Sequence, residues 1–245
     1  MIVIPMAGES SRFSRDGYNS PKYMLNAHGN SLFYHAISSF KKYFENTMFQ
    51  FIARDISGTN TFIHKEVKML GIKNYSIVNI DKLSSGQAET VYLGLKKIKI
   101  DKETPLTIFN IDTLRKNFIY PSNINLDSID GFLEVFEGEG QNWSYIKVKS
   151  FKNKSVQETS EKNPISNLCC NGLYHFKNIQ LYCDTFLEYK VKGFNKFGIN
   201  EFYVAPMYNL ILANGGDIRF SLINKSQVEF FGNPNEFLIF KSSKL

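Results

Sequence analysis

The first half of the chain alternates short apolar runs with longer amphipathic ones. Residues 2–6 (Ile2, Val3, Ile4, Pro5, Met6) form an apolar, largely β-branched run, the pattern of a strand buried on both faces. A polar stretch follows, from Ala7, Gly8, Glu9, Ser10, Ser11, Arg12 and Phe13 through Asp16 and Gly17 to Ser20, Pro21 and Lys22. Over 31–44, Leu32, Phe33, Ala36, Ile37, Phe40 and Phe44 recur on one helical face, behind Ser31 as N-cap. Residues 49–53 read as a second strand, 59–70 as a second helix ended by Gly71, and 75–80 as a third strand. A loop at 84–90 enters a helix that runs to about residue 98, and residues 106–110 form a fourth strand with Asp112 just past its end. This alternation predicts βαβ units and a mostly parallel sheet with helices on both faces.

Beyond Asp112 the pattern changes. Residues 129–136, 143–149, 154–160 and 168–176 alternate as strands with no helix between them, which predicts a smaller antiparallel or mixed lobe folded over the sheet. Helices are expected near 178–190 and 203–213, short strands near 218–223 and 227–231, and a last helix from Pro234, a residue suited to a first helical turn. There is no internal repeat and no low-complexity linker, so one α/β domain over 1–245 is the simplest organisation.

Composition narrows the function classes. Hydrophobic residues make up 43% and aromatics 15%, enough for a sizeable core and too many for a disordered chain. The net charge is +6 and the isoelectric point about 9.0. The densest basic cluster, Lys96-Lys97-Ile98-Lys99, reads as the solvated end of a helix, so nucleic acid is not the expected partner. A mild positive bias does suit a polyphosphate pocket. Cys169, Cys170 and Cys183 show no C-x-x-C spacing, and the four histidines show no metal-binding spacing, so the cysteines read as packing residues in a reducing compartment. The N-terminal apolar run is too short for a signal peptide, and no run approaches a membrane span. The expectation is a cytoplasmic chain with no membrane partner.

Candidate chemistry clusters in two loops and one strand end. The 7–13 loop directly follows a buried strand, where open α/β sheets bind ligands. Gly8 permits close backbone approach, Ser10 and Ser11 add hydroxyls, and Arg12 is a forked cation suited to phosphate. Lys22, behind Pro21, adds a point charge. The loop lacks G-K-[ST] and G-x-G-x-x-G, so it is neither a P-loop nor a dinucleotide fingerprint. Asp112, with Asn110 two residues earlier, is placed as a strand-end carboxylate able to hold Mg²⁺ against phosphates. Taken singly, each has a plain structural reading: a surface loop, a turn aspartate, a first-turn glutamine at Gln87.

Taken in order, these segments resemble the nucleotidyltransferase superfamily that activates sugar phosphates and choline phosphate. Its opening loop, followed by P-K, matches Met6 to Phe13 with Pro21-Lys22. Its G-Q-A-x-[ST] segment matches Gly86-Gln87-Ala88-Glu89-Thr90, and its strand-end metal aspartate matches Asp112. Its E-K segment is similar to Glu161-Lys162, with Ser166 beyond. Its N-x-G-[IL]-Y-x-F strand matches Asn171-Gly172-Leu173-Tyr174-His175-Phe176, and its G-T-P is similar to Gly232-Asn233-Pro234. Two departures stand out: a second loop glycine is replaced by Glu9 or Ser10, and the second metal aspartate is replaced by Phe230, leaving Glu229 or Asp217 as candidate substitutes. Within the superfamily, Ile4-Pro5-Met6-Ala7-Gly8, Ser20-Pro21-Lys22-Tyr23-Met24-Leu25 and Glu201-Phe202-Tyr203-Val204-Ala205-Pro206 resemble the short capsule-locus cytidylyltransferases that act on phosphoglutamine.

The resemblance implies a single Rossmann-like nucleotidyltransferase domain, with 1–112 as the nucleotide-binding half and 113–245 as the acceptor-binding half. It implies transfer of CMP from CTP to a small phosphorylated acceptor, L-glutamine phosphate in the first instance, with Mg²⁺ as cofactor and pyrophosphate released. A sugar 1-phosphate with dTTP or UTP is the alternative. Arg12, Lys22 and Asp112 would be catalytic. Ala7, Gly8, Glu9, Ser10, Ser11, Ser85, Gly86 and Gln87 would hold the nucleotide. Glu161, Lys162, Asn171, Gly172, Glu201 and Tyr203 would lie at the acceptor. A homodimer is the candidate assembly. Two rivals are a nucleotide-sugar-dependent glycosyltransferase, which would leave Arg12 and Lys22 unexplained, and a non-catalytic nucleotide-binding subunit.

Overall fold

The apolar run at the N-terminus becomes β1 (Ile2–Pro5), buried throughout. Its alternate side chains serve two cores. Val3 packs with Ile52, Ala88 and Val91 on one face of the sheet, while Ile2 and Ile4 pack with Phe33, Phe51 and Phe109 on the other. The computed structural model describes residues 1–244. After β1 come α1 (Ser11–Arg15), the short pair β2 (Asn26–Ala27) and β3 (Asn30–Ser31), α2 (Leu32–Ser38), β4 (Phe49–Ala53), α3 (Thr59–Leu70), β5 (Tyr75–Asn79), α4 (Gln87–Lys96) and β6 (Leu106–Phe109). The second half comprises β7 (Thr113–Arg115), β8 (Gly131–Glu137), β9 (Ser144–Ser150), β10 (Ser155–Glu161), β11 (Leu168–Phe176), α5 (Ile179–Lys192), α6 (Met207–Ala213), β12 (Ile218–Ile223), β13 (Val228–Phe230) and α7 (Pro234–Ser242).

Nine strands form one sheet in the order β5-β4-β1-β6-β11-β8-β12-β10-β9. β5, β4, β1 and β6 are parallel, as the alternation predicts. The later strands do not fold over that sheet; they extend it. β11 is the joint: buried at all nine positions, it runs antiparallel to β6 on one side and to β8 on the other. β12 then pairs parallel to β8, and β10 and β9 close the far edge antiparallel. β7 and β13 make a separate antiparallel pair that lies beside the end of β6.

Three boundaries differ from the sequence reading, each for a local reason. Ser31 caps α2 as expected, accepting from the Tyr34 N–H at 2.9 Å. The helix stops at Ser38 rather than running to 44, because the Ser39 carbonyl is taken by the Phe118 N–H at 3.2 Å. The chain then tightens into a 3₁₀ turn that drives Phe40 against Phe109 and Phe118. The helix expected from 203 starts at Met207, because Phe202 is paired on both sides: its N–H donates to the Ser85 carbonyl at 2.7 Å and its carbonyl accepts from Ala88 at 2.8 Å. Within the polar 7–13 stretch, Ser11 already begins α1.

Candidate active site

The C-terminal ends of β1 and β6 open into a cleft of about 520 Å³. It is lined by Ala7, Gly8, Glu9, Ser10, Ser11, Arg12, Lys22, Gly86, Gln87, Asp112, Glu161, Lys162, Asn171, Gly172, Glu201 and Tyr203. Residues from seven separate segments therefore meet where an open α/β sheet binds its ligands. Ser85 contributes differently: its N–H donates to Glu89 Oε2 at 2.7 Å and its carbonyl pairs with Phe202, so it holds the loop rather than lining the cleft.

At one end stands the loop after β1. A side chain at Gly8 would meet nothing within 4 Å, so open space lies over the backbone there. Ser10 sits in the left-handed region at φ 54°, and its hydroxyl accepts from the Lys22 N–H at 3.1 Å, tying the Pro21-Lys22 segment to the loop. The Ala7 carbonyl is occupied by the Arg54 guanidinium at 2.9 Å. Arg12 follows at the start of α1 and is exposed. Lys22 Nζ reaches Asp112 Oδ2 at 2.6 Å, with both side chains about one-fifth to one-quarter exposed.

The floor is held from beneath. Gln87 Nε2 donates to Asn110 Oδ1 at 2.5 Å, and the Asn110 N–H donates to the Gly172 carbonyl at 3.1 Å. Asn171 is buried, and its polar atoms have protein partners: Nδ2 donates to Glu134 Oε2 at 2.5 Å and Oδ1 accepts from the Leu173 N–H at 3.0 Å. Glu134 in turn takes a two-pronged bond from buried Arg115, at 2.7 and 3.0 Å. Asn171 is thus a fixed strut under the cleft. Gly86 has φ 136°, and a Cβ there would fall 2.5 Å from the Phe202 backbone, so only glycine permits the clasp between the 84–88 loop and the 201–205 segment.

The other end is acidic and aromatic. Glu161 accepts from the Ser144 hydroxyl, and Tyr203 donates to Glu201 and receives Lys162, whose ammonium also lies 4.5 Å from the Tyr203 ring centre. Burial pushes Glu161 up to about 7; the Ser144 hydroxyl and the Lys162 charge oppose this, and Glu201 adds to it. Burial also raises the Tyr203 phenol, with Glu201 and Glu161 pushing the same way and the Arg12 charge pulling it back. Trp143 and Ser144 complete this end.

The candidates for a second metal ligand need correction. Glu229 pairs with Lys116 at 2.8 Å and does not line the cleft. Asp217 makes a two-pronged bond to Arg219, at 2.5 and 2.6 Å, and is likewise outside it. The carboxylate that does line it is Glu236, in the first turn of α7, whose Oε2 accepts from the Gly232 N–H at 2.8 Å. A Cβ on Gly232 would come 2.9 Å from Asp112 Oδ2 and 3.4 Å from Glu236 Oε2. The space between the two carboxylates is therefore a cradle that any side chain at 232 would fill. Two hard oxygen donors with room beside them fit a Mg²⁺ that keeps waters and shares a phosphate. Among the described residues no group of three or more His, Cys, Asp or Glu is placed to hold a metal. Sequence reasoning passed over Glu236; its one signal was the spacing Asn233-x-x-Glu236 at a helix start.

No protein-family model and no curated protein matches the chain. Among solved structures, it is similar to the nucleoside-diphosphate-sugar pyrophosphorylase from Vibrio cholerae RC9, with 44% identity and a TM-score of 0.94 over 99% of this chain and 100% of that one. A UDP-glucose pyrophosphorylase complexed with UDP-glucose aligns at TM-score 0.77 and 16% identity, covering 98% of this chain and 96% of that one. The inositol-1-phosphate CTP transferase from T. maritima aligns at TM-score 0.74 and 13% identity, covering 98% and 93%. The last two share the fold. At 44% identity across the full length of the Vibrio protein, with the superfamily's loops gathered in one cleft, the chain belongs to the nucleotidyltransferase family.

Proposed function

We propose that this chain transfers a nucleoside monophosphate from an NTP to a sugar 1-phosphate and releases pyrophosphate. The observation that carries this reading is the meeting of Lys22 and Asp112, 90 residues apart, in the same cleft as the Arg12 loop. The reaction asks little covalent help of the protein; an acceptor phosphate oxygen attacks the α-phosphorus in line, and pyrophosphate departs. Arg12 and the amides around Gly8, Ser10 and Ser11 hold the β- and γ-phosphates. Lys22 neutralises charge on the transferred phosphoryl group. Gln87, fixed by Asn110, and the Ala7 N–H read the base edge from the nucleotide half, 1–112. In the acceptor half, 113–245, Lys162 leaves Tyr203 for the acceptor phosphate, while Glu161 and Glu201 accept hydrogen bonds from hydroxyls. Asn171 and Gly172 support the floor between the halves. Asp112, with Glu236, would hold Mg²⁺, which when bound supplies positive charge at the α-phosphate.

The 44% identity to a protein named as a nucleoside-diphosphate-sugar pyrophosphorylase supports the sugar-phosphate acceptor over CTP with L-glutamine phosphate. The latter rests on the resemblance of the opening loop and the 201–206 segment to the capsule-locus enzymes. The test is pyrophosphate release with Mg²⁺ over a grid of CTP, UTP, dTTP and ATP against several sugar 1-phosphates and L-glutamine phosphate. Turnover with a sugar 1-phosphate is expected. Turnover confined to CTP with L-glutamine phosphate would replace the acceptor proposed here.

A further inference from the structure

The reading above gives Asp112 to a divalent cation and Lys22 to the reacting phosphates, yet the two side chains are joined at 2.6 Å. While Nζ rests on Oδ2, the charge of the carboxylate is met by the ammonium and the ammonium is held back from the phosphates. We propose that the Lys22 ammonium is the resident counter-ion of the metal-binding carboxylate, exchanged for the divalent cation only when a nucleotide polyphosphate arrives.

The geometry makes the exchange local. The Lys22 backbone is fixed by the Ser10 hydroxyl at 3.1 Å, and the next residue, Tyr23, is buried with its hydroxyl bonded to Thr59 at 2.8 Å. Only the flexible four-carbon arm has to move, and lysine's compact ammonium suits such a transfer. The place it would vacate adjoins Gly232, where a Cβ would come 2.9 Å from Asp112 Oδ2 and 3.4 Å from Glu236 Oε2, so the two carboxylates flank one point that only glycine leaves unfilled. With Lys22 in place, a divalent ion meets a carboxylate already neutralised and a like charge within a few ångströms. A polyphosphate reverses both effects: it offers the ammonium new partners and gives the ion further oxygen ligands. Nucleotide and cation then bind with positive coupling, which by linkage is reciprocal.

This inference rests on the nucleotidyltransferase reading, and Mn²⁺ binding followed by the electron paramagnetic resonance of free Mn²⁺ separates the two. Wild-type protein, Lys22→Met and Lys22→Met/Asp112→Asn are titrated with Mn²⁺ alone, then with Mn²⁺ plus the α,β-methylene analogues of CTP, UTP, dTTP and ATP. With no nucleotide, Lys22→Met should bind Mn²⁺ at least tenfold more tightly than wild type, and Asp112→Asn should abolish the gain. An accepted analogue should raise Mn²⁺ affinity more in wild type than in Lys22→Met. Lys22→Gln, run alongside, should repeat the pattern should Lys22→Met fail to fold by circular dichroism. Equal Mn²⁺ affinity in the empty wild type and the Lys22 variants, with an analogue still strengthening wild-type binding, would overturn the exchange and leave the nucleotide reading standing. If no analogue strengthens Mn²⁺ binding, both fail.

Discussion

Arg12 and Lys22 sit in one cleft but should fail in different ways. In the proposed reaction Arg12 holds the phosphates that become the leaving group, so Arg12→Ala should raise the NTP KM and lower kcat together. In the same proposal Lys22 meets the transferred phosphoryl group, where charge shifts most on the way to the transition state, so Lys22→Ala should mainly lower kcat. Lys22→Arg should not rescue, because a planar fork would pair two-pronged with Asp112 and is bulkier and less mobile than the compact ammonium that has to reach the reacting phosphates. Asp112→Ala should fold yet lose about a hundredfold in turnover, corresponding to about 3 kcal/mol of transition-state stabilisation. Steady-state kinetics of these variants, with folding checked by circular dichroism, decides each. Glu161 gives a pH signature. Its folded pKa stands near 7 against the ordinary 4.5, chiefly from burial. The unfolded chain therefore ionises first, and the native state loses stability as pH rises from about 4.5 to about 7. Glu161→Gln cannot ionise, so its urea midpoint should exceed the wild type's increasingly across that window; parallel curves would show that Glu161 is not buried. The loop cations and Asp112 were legible in the sequence because an ordered set of motifs carried them. Glu236 was not, because a glutamate three residues into a helix reads first as a cap, and only the fold reveals the glycine cradle it shares with Asp112.

At the scale of elements, the clasp between the 84–88 loop and the segment before α6 links the two ends of the cleft. Phe202 is bonded to Ser85 and Ala88 while its neighbours Glu201 and Tyr203 line the acidic and aromatic end of the cleft. Gly86→Ala would place a methyl group 2.5 Å from the Phe202 backbone and must open the clasp. The expected outcome is a raised KM for both NTP and acceptor with secondary structure intact; a change in the NTP KM alone would show that the clasp does not join the two sites. Most element positions followed from periodicity: β1 comes from an uninterrupted apolar run, β4, β5 and β11 from runs rich in apolar and aromatic residues with single polar positions among them, and α3 from an amphipathic run closed by Gly71. The early ends of α2 and the late start of α6 were hidden, because each is set by a backbone bond to a residue far along the chain, Phe118 in one case and Ser85 with Ala88 in the other.

One nine-stranded sheet runs through both halves of the molecule, and the buried group that braces its centre is the Arg115–Glu134–Asn171 network. Glu134 is 2% exposed and Arg115 6%. Removing one partner strands the other, so Glu134→Ala should cost about 3–5 kcal/mol in urea unfolding. It should also lower turnover, because Asn171 under the cleft loses its anchor; a loss below 1 kcal/mol would show that the network is dispensable. The joining of both halves into one sheet was not legible, since each strand of the second half reads alike whether it caps the parallel sheet or extends it. Only the double pairing of β11 decides between them. That continuity brings the loops after β1 and before α4 and the segments around Glu161 and Tyr203 to one cleft, and the most direct test of the proposed reaction is pyrophosphate release with an NTP and a sugar 1-phosphate in the presence of Mg²⁺. Stoichiometric pyrophosphate and nucleoside-diphosphate-sugar formation, lost in Asp112→Ala, is the predicted result. Release of a nucleoside diphosphate instead of pyrophosphate, or no turnover with any NTP and phosphorylated acceptor, would contradict it.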